Sequence, residues 1–229
     1  MTALCSLIHL LQHSNTDSVL IDLNKALNLR GGASSTSRPE PVHTASFLSA
    51  ISSKKGFVYS PKSNPLFDTQ MNSLKIGWYY SWGLSYSSTL ALPFTPMIWG
   101  APDVNRISKI PPGATELLAF NEPDGSGQSN ITTAAAAAFW PQLKATGLRI
   151  GSVATAQNPL ATSYTPNDGG APLTTSYFED LWQRLSAAGM KPDFIALHWY
   201  APPNSKSFLA WLDNIHAKYV ARRGRGAWA

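Results

Sequence analysis

Six short apolar runs recur along the chain, each closed by Gly, Pro or polar residues. They are GFVYS at 56–60, KIGWYYSWG at 75–83, FTPMIWGA at 94–101, ELLAFNEPD at 116–124, RIGSVATA at 149–156 and DFIALHWYA at 193–201. Near-continuous apolar character, rather than alternation with polar positions, marks a strand buried on both faces. Between the later runs the spacing turns helical. Residues 131–147 are rich in helix formers, with Asn130 or Thr132 placed to cap, Gly147 placed to stop, and Pro141 inside predicting a kink. Residues 174–190 set Phe178, Leu181, Trp182 and Leu185 on one face, and residues 205–219 do the same with Phe208, Leu212, Ile215 and Tyr219.

Strand and helix in alternation imply parallel pairing with the helices outside. Polar clusters close several runs at their C-terminal ends. The predicted fold is therefore α/β, a TIM-type (β/α)8 barrel whose active face is built from strand C-termini. A doubly wound open sheet is the alternative, and neither G-x-G-x-x-G nor a P-loop is present to favour it. Residues 1–52 read as a disordered or poorly structured segment rich in Ser, Gly and Pro, with a short helix over 18–29. The barrel occupies residues 53–219, and residues 220–229 form a basic Arg/Gly tail.

Charge and composition narrow the classes. Net charge is +5, but Arg222, Arg223 and Arg225 lie in the tail, and without them the balance falls to +2. No basic stripe is interleaved with aromatics, which argues against nucleic acid as a partner. Charged residues make up only 14%, while aromatics reach 11% with 8 Trp and 8 Tyr. Such a surface suits neutral polar ligands, sugars foremost. The single cysteine, Cys5, has no partner for a disulfide and no ligand cluster for zinc. No run approaches the roughly 18 apolar residues of a membrane span. Residues 3–11 are short and apolar like a signal-peptide core, but no Lys or Arg precedes them and no small-x-small cleavage site follows closely.

The candidate chemistry sits at the run ends. Glu122 closes the fourth run, and Pro123 stops regular pairing beyond it. A carboxylate at a strand rim among Trp and Tyr is partly desolvated, which predicts a raised pKa suited to a general acid. His198, Trp199 and Tyr200 end the sixth run, offering an imidazole and flat apolar faces for sugar rings. Tyr79, Tyr80, Trp82 and Trp99 end the second and third runs in the same way. Asn130-Ile131-Thr132 matches a glycosylation acceptor, and the cap reading is preferred for it.

With FNEPD after an apolar strand, and GWYYSWG, PMIWG and DFIALHWY in that order, the chain resembles glycoside hydrolase family 128. That family includes fungal alkali-sensitive-linkage-type glycosidases acting on the β-1,3-glucan of cell walls. The resemblance covers about residues 54–219. It implies a retaining glycosidase with Glu122 as acid/base and Asn121 helping to position substrate. Tyr80, Trp82, Trp99, His198, Trp199 and Tyr200 would then line the cleft. It also implies no cofactor, a β-glucan partner, a monomer, and a secreted or cell-wall location.

One departure bears on activity. A retaining enzyme needs a second carboxylate about 5–5.5 Å from the first. The resemblance places it on a seventh strand ending in Thr-Glu. After Tyr219 the residues read VARRGRGAWA, with no apolar run and no Glu. The expectation is an incomplete, C-terminally truncated barrel lacking strands 7 and 8, inactive for want of a nucleophile. A non-catalytic β-glucan-binding protein is the alternative.

Overall fold

The computed structural model describes residues 52–58, 76–85 and 92–220. The expected helix over 18–29, Cys5 and all but the first residue of the Arg/Gly tail lie outside the described residues.

All six apolar runs pair in parallel, and their order in space is their order in the chain. Strand β1, Ser52–Val58, lies beside β2, Ile76–Tyr80, with Phe57 opposite Tyr79 and Val58 opposite Tyr80. Tyr79 bridges to Phe94, and Met97 of that third run bridges to Leu118. Strand β3, Glu116–Leu117, pairs with β4, Arg149–Ile150, and the contact continues as Asn121 opposite Ala154. Gly151 then bridges to Phe194 of the sixth run. Regular ladder is short. Single bonds extend the pairing, such as Ile98 N–H to Leu118 O at 2.9 Å and Ser152 N–H to Phe194 O at 2.9 Å.

Helices cover one face. Helix α1, Ala101–Val104, and a 3-10 turn, Ile107–Lys109, follow the third run. Helix α2, Thr133–Lys144, follows the fourth, α3, Tyr177–Ala187, the fifth, and α4, Ser205–Ile215, the sixth. A π-helical turn, His216–Val220, extends α4. Each long helix starts on a side-chain cap. Thr132 accepts from Ala135 N–H, Ser176 from Glu179 N–H and Asn204 from Ser207 N–H. Gly147 and Gly189, past the ends of α2 and α3, take the left-handed backbone at φ 73 and 67 that ends a helix. Pro141 does not end α2, which runs on through it to Lys144.

Strand alternation sorts the side chains. Leu117, Ile150, Ile195 and Leu197 point into the larger core with Trp140 and Leu143 of α2, Leu181 and Leu185 of α3, and Phe208 and Ile215 of α4. Full burial of each such side chain contributes about 1.5–3 kcal/mol. Tyr80, Met97, Leu118, Ala154, Phe194 and Ala196 form a second cluster on the opposite face, where no helix contributes. Asp193, at the far end of the sixth run from the site, accepts from Ile150 N–H at 2.7 Å and from the Lys144 ammonium at 2.8 Å. It thereby ties α2, β4 and the sixth run together.

Candidate active site

The C-terminal ends of the fourth and sixth runs meet at one oxygen. Glu122 Oε1 lies 2.8 Å from His198 Nδ1 and also accepts from the Tyr200 hydroxyl. Tyr200 Oη is 3.0 Å from the same His198 nitrogen, so the three groups close a triangle. Glu122 and His198 are buried, while Tyr200 remains 48% exposed. His198 and Tyr200 reach the same side because they are two apart on an extended segment.

The carboxylate is held by its backbone as well. Glu122 N–H bonds to Ala154 O at 2.8 Å and Glu122 O accepts from Gly125 N–H at 3.0 Å. Its φ is +41, a left-handed conformation uncommon for a residue with a side chain. Strain of this sort persists where surrounding bonds over-determine it, and it gathers at functional sites.

The expectation of a raised pKa for Glu122 is corrected. Burial alone pushes the carboxyl up, and that is the largest single influence. The hydrogen bonds from His198 and Tyr200, with the charge His198 can carry, together outweigh it and leave the value below the ordinary 4.5. Desolvation was visible from the apolar run; the two donors arrive from a segment 76 and 78 positions away.

Asp124, two residues on, is a clamp. Its carboxylate accepts from Ala156 N–H at 2.9 Å and Gln157 N–H at 2.7 Å, pinning the fourth-run turn to the segment after the fifth. Its carbonyl accepts from Asn167 Nδ2 at 2.9 Å. Burial raises its pKa first and the neighbouring Glu122 charge adds to that, against bonds from the backbone amides of Gln157, Ala156 and Asp124 itself. The one available signal was its place in a polar turn after the strand, which does not reveal its partners.

The other expected residues divide by face. Tyr80 joins the helix-free cluster, and Trp82 and Trp99 pack against it together with Trp78, which the sequence analysis did not single out. The Tyr80 and Trp82 rings meet edge to face with centroids 5.7 Å apart. Asn121 is buried, donating from Nδ2 to Gln128 at 3.2 Å. Three buried polar atoms here have no partner among the described residues: the Tyr80 hydroxyl, Asn121 Oδ1 and His198 Nε2. Trp199 is the exception and is corrected. It points to the helix side, 5.2 Å between centroids from both Phe208 and Trp211 of α4. Tyr79 likewise turns away, against Phe94.

Among the described residues, no group of three His, Cys, Asp or Glu is placed to hold a metal ion. No described helix is long and apolar enough to cross a membrane.

Residues 56–223 match the model of the glycosyl hydrolase catalytic core family. The chain belongs to that family. Its domain is of the glycoside hydrolase family 128 type. Alkali-sensitive linkage protein 1 of Schizosaccharomyces pombe is 33% identical over 157 residues, 66% of this chain. The chain spans 27% of the length of that relative. A family 128 subgroup I endo-β-1,3-glucanase of Amycolatopsis mediterranei, solved with laminaritriose, superposes with a TM-score of 0.59 at 27% identity, covering 72% of this chain and 67% of that one. A subgroup III curdlan-specific exo-β-1,3-glucanase of Blastomyces gilchristii, solved with glucose, gives 0.53 at 26%, covering 72% and 71%. The glycosidase domain thus shares the barrel-like β/α architecture of these glucanases, which accounts for its parallel runs in chain order and for a site at their C-terminal ends.

Proposed function

We propose that this is a β-1,3-glucan-directed domain of a retaining glycosidase, with Glu122 in the acid/base position, and that the 229 residues bind glucan without hydrolysing it. The observation that carries the reading is the capture of one Glu122 oxygen by both His198 and Tyr200. It fixes the side chain and leaves Oε2 for proton transfer to a glycosidic oxygen. With Nδ1 engaged on Glu122, His198 keeps Nε2 for a sugar hydroxyl, beside Asn121 Oδ1 and the Tyr80 hydroxyl, none of which has a partner among the described residues. Trp78, Trp82 and Trp99 supply apolar faces for the rings. These are the parts of a sugar site, and they are also the parts of the acid/base half of a retaining one.

The nucleophile half has no candidate among the described residues. Asp103 is taken by Trp99 N–H and Arg106, Glu116 by Arg149, Asp193 by Lys144 and Ile150. Glu179 pairs with Lys218 and Asp180 with Arg184, both on the helix side. Asp124 spends both oxygens on backbone amides, Asp168 accepts from Gly170 N–H in an exposed turn, and Asp213 is exposed on α4. Loss of a catalytic group costs on the order of 10⁴–10⁶ in rate. The likeness to the fission-yeast protein favours a fungal cell-wall setting.

Reducing-sugar release from a soluble β-1,3-glucan, set beside retention on insoluble β-1,3-glucan, tests the proposal for the full chain and Glu122→Gln. Retention of both without release by either is the expected result. Release by the parent alone would reveal a working nucleophile and end the claim of inactivity. Failure of both to be retained would remove the glucan reading itself.

A further inference from the structure

We infer that Asn130 is an N-glycosylation site and that the folded domain carries the glycan at the rim of the Glu122 turn. Asn130-Ile131-Thr132 is the only Asn-x-Ser/Thr triplet in the 229 residues. The triplet divides cleanly in the fold. Ile131 is buried in the larger core, whereas Asn130 is exposed. Asn130 has φ +46, a left-handed turn conformation that asparagine tolerates better than other residues with a side chain.

The hydrogen bonds leave the attachment atom open. Asn167 Nδ2 donates to Asp124 O at 2.9 Å and to Asn130 Oδ1 at 3.3 Å. The carbonyl of Asp124 can only accept, so the Asn167 amide must present its NH2 there. That same NH2 then requires an oxygen from Asn130, which fixes the Asn130 amide orientation. Nδ2 of Asn130 consequently has no acceptor among the described residues, while Oδ1 keeps its bond after modification. A glycosylated asparagine retains its carbonyl oxygen and one N–H, so nothing in this arrangement is lost.

Thr132 serves at two different times. In the nascent chain its hydroxyl completes the acceptor triplet; in the folded chain it accepts from Ala135 N–H at 3.1 Å and caps α2. The preference for the cap over the acceptor reading is therefore not a choice between exclusive roles. The reaction belongs to an oligosaccharyl transferase of the secretory pathway. A lipid-diphosphate-linked oligosaccharide is transferred whole through its reducing-end sugar, and the lipid diphosphate is the leaving group. Asn130 Nδ2 bonds to the anomeric carbon, the bond from that carbon to the diphosphate oxygen breaks, and the amide gives up one proton.

The full chain, directed into the endoplasmic reticulum of yeast by an added leader, tests this with three variants. Thr132→Ser keeps both acceptor and cap. Thr132→Asp keeps a capping oxygen and destroys the acceptor. Asn130→Gln removes the attachment atom. The expected result is an endoglycosidase-sensitive mass on the parent and Thr132→Ser, absent from Thr132→Asp and Asn130→Gln, and removable from the native protein without denaturant. An unmodified parent in the lumenal fraction, or a mass that persists in Asn130→Gln, would overturn the site. A glycan confined to aggregated chain and missing from the folded fraction would overturn its place in the fold. None of these readouts depends on glucan binding or hydrolysis.

Discussion

His198 Nδ1 and Glu122 Oε1 stand 2.8 Å apart although 76 positions separate the two residues in the chain. The contact joins the sixth parallel run to the fourth across the end of the fifth, so it forms only when all three are in register. It is as much a report on correct sheet assembly as a feature of the site.

Removing one donor from that oxygen should move the Glu122 titration upward. Tyr200→Phe keeps the ring and deletes the hydroxyl, leaving burial less opposed. The Glu122 side-chain carbon, followed by carboxyl-selective NMR, is expected to titrate at higher pH in the variant than in the parent. An unchanged or lower midpoint would show that Tyr200 does not stabilise the ionised form.

Glu122 and Asp124 should pull stability in opposite directions with pH. Glu122 is depressed in the fold, so its contribution is complete above its ordinary 4.5 and is lost as pH falls through the folded value. Asp124 is raised, so its contribution is complete below its ordinary 3.8 and is lost as pH rises through the folded value. In urea unfolding series, the stability of parent minus Glu122→Gln should fall on acidification through this region. That of parent minus Asp124→Asn should rise. Parallel slopes would contradict the assignment.

Two tryptophans named together as cleft residues should behave differently. Trp199→Ala removes packing on Phe208 and Trp211 and is expected to cost about 2–3 kcal/mol of stability, with glucan retention kept in the folded fraction. Trp82→Ala should weaken retention on insoluble β-1,3-glucan with a smaller change in melting. Equal effects on both readouts would place the two side chains on one face after all.

Gly151 faces the Phe194 ring so closely that a Cβ there would lie 2.5 Å from it. Gly151→Ala is expected to destabilise by about 1–3 kcal/mol, as overpacking does. Adding Phe194→Leu should recover part of that loss if the ring is the obstacle. A denaturant midpoint that does not move in the single variant would mean that the fifth and sixth runs separate easily.

What could be read from the chain, and what could not, follows from the range of each interaction. Continuous apolar runs reflect burial on both faces, a local property, and all six runs were legible in order. Gly147 and Thr132 were legible for the same reason, since caps and stops act over a few residues. The contiguous HWY was misleading, because a period of two sends Trp199 to the helix side while His198 and Tyr200 stay together. The pKa of Glu122 and the clamp of Asp124 were not legible. Their deciding partners, Tyr200, His198, Ala156 and Gln157, come from other runs, and nothing in the spacing names them.

The left-handed backbone of Glu122 sets folding and chemistry against each other at a single position. Glycine relieves a conformation that costs a side-chain-bearing residue about 1 kcal/mol or more. Glu122→Gly is therefore the rare substitution that removes the proposed reacting group while easing the turn that presents it. A lineage with no use for the carboxylate would drift toward glycine or asparagine here under selection for folding alone. Glutamate at such a place stands against the local preference of the backbone, so the turn that presents the carboxylate is held by its surroundings rather than by the residue itself.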